Sequence, residues 1–156
     1  MKPPPLLGFA LFSGTVAGAL SQWAMARCGQ RDIGSAAAAV NAPSHWIWGE
    51  EAIRADDASL RHTGLGTLVH WASSVLWGTV YQAVRAARRR PTAANAIVDA
   101  VAVTGAAAFV DLRVVPHRFT PGFERRLSSG SLCIVYGCFA AGLGAAAALA
   151  LDRSRH

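Results

Sequence analysis

Charge is confined to a few short stretches of this chain, and the gaps between them limit what it can fold into. No Asp, Glu, Lys or Arg lies between Lys2 and Arg27, between Arg61 and Arg85, or between Arg126 and Asp152, and Asp99 stands alone between Arg90 and Asp111. Each gap accommodates a helix of about 20 residues, the length that crosses roughly 30 Å of hydrocarbon. With 53% hydrophobic and 15% charged residues, and a mean hydropathy of +0.30, the chain is more apolar and less charged than a soluble domain of its size. Its 156 residues allow one domain. The expected class is all-α: an integral membrane four-helix bundle, residues 1–156, with spans near 6–26, 62–84, 92–110 and 128–151.

The first span, "LLGFALFSGTVAGALSQWAMA", contains Gly14-x-x-x-Gly18, a spacing that lets another helix approach closely. A cleavable leader competes with this reading, because Lys2 supplies a basic start and Ala24-Met25-Ala26 imitates a cleavage site. The apolar stretch exceeds the roughly 7–15 residues of a leader core, which favours a retained span. Further on, "NAPSHWIWGEEAIRADD" places Trp46 and Trp48 beside Glu50, Glu51 and Arg54. Pro43 and Ser44 read as a helix start and the indoles as headgroup anchors, giving a short interfacial helix over about 44–55. Asp57 is the expected cap of the second span. The second and third spans are separated only by Arg85 to Arg90 and should form an antiparallel hairpin, with Pro91 in the first turn of the third. Alanine and glycine dominate the fourth, which should pack closely.

The lipid bilayer is thus the expected partner, in a bacterial inner membrane. With both termini inside, seven basic residues face the cytoplasm and eight the other side. The all-arginine turn at 85–90 tips the orientation to N-in, C-in. The net charge of +6 and the run "RAARRR" do not imply nucleic acid, since a basic cluster between two apolar spans is what membrane topology itself produces. Cys28, Cys133 and Cys138 have no zinc or CxxC spacing and read as small apolar residues in or near helices.

Ionisable groups inside a span are costly, so His70 and Asp99 need partners or a task. Counted from a turn centred at residue 88, Asp99 is eleven residues away and His70 eighteen. The difference, at 1.5 Å per residue, separates them in depth by about 10 Å, too far for a direct proton relay. The same count levels Asp99 with Trp77 and Asn95 with Tyr81, as hydrogen-bond partners across the hairpin. His70, Ser74, Trp77 and Tyr81 form one stripe, of the kind that joins helices. His62 and Asp111 fall near one membrane face with His45, Glu50 and Glu51, either as a site or as an ion-pair network. Within "DLRVVPHRFTPGFERRLS", Asp111, Arg113 and Glu124 are expected to pair locally, while Arg118, Arg125 and Arg126 reach lipid phosphates.

No HExxH, GxSxG or glycine-rich phosphate loop occurs, and His70 is the only histidine well inside a span, so no catalytic residue, metal or cofactor is assigned. The reading is a non-enzymatic integral inner-membrane protein with an accessory, assembly or stress-related role. One alternative is a small oligomeric transporter or channel subunit using His70 and Asp99, paired with a second copy through Gly14 and Gly18 or the fourth span. Another is a membrane-interface enzyme built from His62, Asp111, His45 and Glu50 or Glu51. The segments "SHWIWGEEA", "HTGLGTLVHWASSVLWGTVY" and "VDLRVVPHRFTPGFERRLSSGSLCIVYGCFAAGL" together resemble small four-span bacterial inner-membrane proteins of uncharacterised function. That resemblance implies fold and location, and no activity.

Overall fold

Small side chains decide how closely the long helices of this all-helical chain meet. The computed structural model describes residues 6–90 and 92–153; Lys2, Pro91 and the end of the polar tail lie outside them. Among the described residues there is no strand. Helix α1 (Leu6–Ile33) runs antiparallel to α5 (Leu65–Ala86), and the contact is made through backbone. A Cβ on Gly14 would sit 2.6 Å from Val75 Cα, and one on Gly78 would sit 2.8 Å from the Ala10 carbonyl oxygen. On its other side α1 meets α7 (Ser129–Arg153), where a Cβ on Gly142 would lie 2.5 Å from Ala17 Cα. Helix α6 (Ala93–Phe109) packs on α7 and, more loosely, on α5, closing an up-down-up-down ring. The Gly14 and Gly18 face expected to join a second copy is therefore filled by the chain's own α5, with Ser74 directly against Gly18.

Two stretches, Ala93–Val114 and Ser129–Ala150, are long and apolar enough to cross a membrane. The lengths of α1 and α5 suffice, but hydroxyl, amide and imidazole groups such as Ser13, Gln22, His70 and Ser74 dilute them. Helix α1 also runs two turns past residue 26, because nothing halts it before Gly34, whose φ of +84° is a left-handed terminator.

The expected surface helix over 44–55 is instead a broken chain of short pieces. These are α2 (Ala36–Asn41), a 3₁₀ turn at Ala42–Ser44, α3 (His45–Trp48) and α4 (Glu50–Arg54). It begins at Ser35, whose hydroxyl accepts from the Ala37 and Ala38 amides, and breaks at Gly49 with φ +60°. Ser44, His45, Ala52 and Ile53 are buried, so the segment is a lid over one end of the bundle rather than a helix resting on lipid. Trp46 is an internal strut, donating to the Thr120 carbonyl at 2.9 Å and standing edge-on to Phe119. Trp48 is exposed, with the Arg61 guanidinium 4.3 Å from its ring centre. Ser59, not Asp57, caps the π-helical turn Leu60–Gly64 that leads into α5; its hydroxyl accepts from the His62 amide, while the Asp57 carbonyl is taken by Asn41.

Candidate functional site

The deepest acid is held by arginines. Asp99 is 2% exposed and receives Arg88, through Nε at 3.2 Å and through Nη2, with Arg85 Nη1 at 3.5 Å. Arg85 also donates to Asn95 at 2.5 Å, and the buried Tyr81 hydroxyl donates to the Ala96 carbonyl at 3.1 Å. The expected Asp99–Trp77 and Asn95–Tyr81 pairs are thus replaced. The reason is reach: Asp99 lies only six residues into α6, about 9 Å from its start, so long arginine stems fold back from the turn and offer a charge-assisted fork that an indole cannot match. Asn95 is occupied in a capping box with Thr92.

His70 joins α5 to α1. Its Nε2 lies 2.9 Å from Ser21 Oγ and 3.3 Å from the Gly18 carbonyl oxygen. A carbonyl only accepts, so that contact places the proton on Nε2. His70 and Asp99 share no contact among the described residues, and the stripe His70, Ser74, Trp77 and Tyr81 is the inward face of α5.

What α5, α6 and α7 enclose is a cavity of about 260 Å³ where the α5–α6 seam is loose. Trp46, Trp77, Phe119, Phe123 and Phe139 wall it. Of its lining side chains, Leu76 at 62% and Phe119 at 49% exposure form the open rim, on the apolar flank of the bundle. Its polar groups are three serines, His70 and one acid, Asp111, whose Oδ2 accepts from the Tyr136 hydroxyl at 3.1 Å. Asp111 sits on a π-helical turn, Val110–Val114, that continues α6 and turns the carboxyl toward α7.

Of the groups expected on one face, as a site or as an ion-pair network, Glu50 and Glu51 belong to ion pairs at the lid and do not join Asp111 in the cavity. His62 Nε2 lies 3.6 Å from Glu51, beyond hydrogen-bond distance, and Glu51 accepts from Arg61 at 3.0 Å. Glu50 receives both Arg125 nitrogens, at 2.6 and 2.7 Å. Arg126 binds the Ile53 carbonyl and Asp56. Arg125 and Arg126 therefore tie the 115–128 connection to the lid instead of reaching outward for lipid phosphate. The local Asp111–Arg113–Glu124 pairing is absent among the described residues. Arg113 and Arg118 are exposed, so neither answers the acids, and Glu124 Oε2 is buried without a partner. His45 keeps its Nδ1 2.9 Å from the Ala42 carbonyl oxygen, and its Nε2 is buried and unpartnered.

No family model, curated protein or solved structure matches this chain.

One acid that sequence reasoning passed over, Asp32, fastens the ends of α1 and α7. The Ser131 hydroxyl at 2.6 Å and the Ser128 amide at 2.9 Å donate to it, with Arg31 alongside, and hold its carboxyl well below the usual range. It also faces the positive end of α7. The Arg125 fork likewise lowers Glu50. A carboxyl depressed on folding contributes stability that is full above the ordinary value of 3.8 and is lost as pH falls through the depressed one. Asp32→Asn should melt below the unmodified chain in detergent at neutral pH, with the gap closing as the solution is acidified under pH 3.8; a gap that widens on acidification contradicts this assignment. The signal in the sequence was a lone acid two residues before a helix-ending glycine, opposite the serines that open the last span.

Proposed function

We propose that the chain is a non-enzymatic integral protein of the bacterial inner membrane, crossing it four times with both termini in the cytoplasm, and serving as an accessory binding protein. One observation carries the reading: large apolar side chains cover the outside of the bundle, while small and hydroxyl side chains fill much of its inside. Leu7, Leu11, Leu68, Leu76, Ile97 and Leu149 point outward and exposed, while Ser13, Ser21, Ser74, Asp99, Thr104 and Ser131 are buried between the helices. A soluble bundle does the reverse, since burying its apolar side chains is what folds it. Hydrocarbon tolerates an apolar exterior and leaves packing and interhelical hydrogen bonds to hold the helices. The charged groups gather at the two ends, with the arginine turn at one and the lid's ion pairs at the other. The sequence resemblance to small four-span inner-membrane proteins points the same way. A binding role is favoured over turnover because His70 and Asp99 of the long helices are engaged in structure, His70 with Ser21 and Asp99 with its arginines, and Asp111 meets only Tyr136 among the described residues.

Single cysteines at Arg54, Ala87 and Arg118, in a background lacking the native three, test the topology in intact cells with a membrane-impermeant label. These sites are exposed, whereas Ser44 in the lid is fully buried. Labelling at 54 and 118 but not at 87, in protein that resists alkaline extraction from membranes, is the expected result. Labelling at 87 alone inverts the orientation, and release by alkali overturns the membrane assignment.

A further inference from the structure

Most acids among the described residues are answered by a cation or by water. Asp32, Glu50, Glu51, Asp56 and Asp99 each have a basic partner within 4 Å, and Asp57 lies exposed in water. Asp111 is half-buried in the cavity wall, has no basic group within that distance among the described residues, and meets only the neutral Tyr136 hydroxyl, leaving Oδ1 without a partner. Removing a carboxylate from water without a compensating charge is expensive. A second negative charge stands close by: Glu124 follows Phe123, whose ring lies 6.2 Å from that of Tyr136, and its buried Oε2 is unsatisfied. The same cavity is lined by aromatic side chains, Trp46, Trp77, Phe119 and Phe139. Aromatic faces and an uncompensated carboxylate attract the same kind of guest, a cation with an apolar body. An anion is repelled, and a neutral apolar guest leaves the charge unanswered.

We propose that this cavity binds a compact organic cation, an aryl or alkyl ammonium, with its charge against Asp111 and its body among Trp46, Trp77 and Phe119. The volume of about 260 Å³ holds a single ring bearing a small ammonium group and excludes a whole phospholipid. The rim at Leu76 and Phe119 opens on the bundle's apolar flank, so such a guest enters sideways. That route rests on the membrane reading; the contacts in the cavity do not. Tyr136 is a positioning residue, holding Oδ2 and aiming Oδ1 at the guest.

The test is equilibrium dialysis of radiolabelled phenyltrimethylammonium against the full chain in lipid nanodiscs, with empty discs subtracted, beside its neutral carbon isostere tert-butylbenzene. Saturable binding of the cation is expected, weakened at least about tenfold by Asp111→Asn and by a smaller factor in Tyr136→Phe, with the isostere indifferent to both. Absence of saturable cation binding overturns the proposal, and so does a cation affinity unchanged in Asp111→Asn. Equal affinity for cation and isostere in the unmodified chain overturns it without any variant, so the outcome does not hinge on whether Asp111→Asn folds. A chain that stays out of the discs refutes the membrane reading separately and is dialysed in buffer, where the same outcomes apply.

Discussion

Asp99→Ala should cost about 3 kcal/mol of stability, the lower end of what removing one partner of a buried ion pair costs. The loss comes from Arg85, which is 8% exposed and would keep its charge in the hairpin with only Asn95 as partner. Arg88, with its side chain 43% exposed, is free to swing toward water and adds little. The remedy identifies the cause: Asp99→Ala combined with Arg85→Met should recover most of the loss, since an apolar pair of similar volume replaces a buried ion pair at little cost. Apparent melting temperatures in detergent for the single and double variants give the comparison. A double variant no more stable than Asp99→Ala shows that Asp99 acts through something other than these arginines.

Gly66→Ala should be as damaging, for a steric reason. A Cβ there would fall 2.1 Å from the Val40 carbonyl oxygen and 3.3 Å from that of Asn41, both in the buried end of α2. Neither atom is the tip of a flexible side chain, so α5 and the lid must part, and overpacking of this kind costs about 3 kcal/mol or more. The matched control is Gly105→Ala or Gly137→Ala, where nothing lies within 4 Å of the new methyl group and both positions are within helices. There the exchange should be neutral or stabilising by up to about 1 kcal/mol through helix propensity. The same melting measurement separates the two classes, and a tolerated Gly66→Ala refutes the close approach of α2 to α5.

How much of this was legible beforehand differs by element. Helices were readable where charge was absent over a whole span, because length and apolarity are local properties. Their ends were less so: α1 continues to Ile33 past two arginines, since a helix stops where its backbone is terminated, here at Gly34, and not where its hydropathy falls. The lid was misread because Trp46 and Trp48 look alike in sequence, while one is a strut bonded to Thr120 and the other stacks on Arg61 in the open. For Asp99, residue counting kept it apart from His70, with which it shares no contact among the described residues, but gave the wrong partners, because it places Cα atoms and ignores the reach of an arginine side chain. The cavity could not be read at all, since Trp46, Trp77, Asp111 and Phe139 are brought together only by the loose α5–α6 seam and the turn of the 115–128 segment.

The sequence by itself determined an all-helical chain with four long helices, polar groups concentrated at the ends, and small residues where helices must touch. These follow from periodicity, charge spacing and side-chain size, which need no knowledge of neighbours. Only the tertiary structure decided that Gly14 and Gly18 serve α5 rather than a second copy, that Asp99 belongs to Arg85 and Arg88, and that Asp111 faces a cavity with no cation beside it among the described residues. Pairing and enclosure depend on which side chains meet across helices, and that is fixed by packing between segments far apart in the chain.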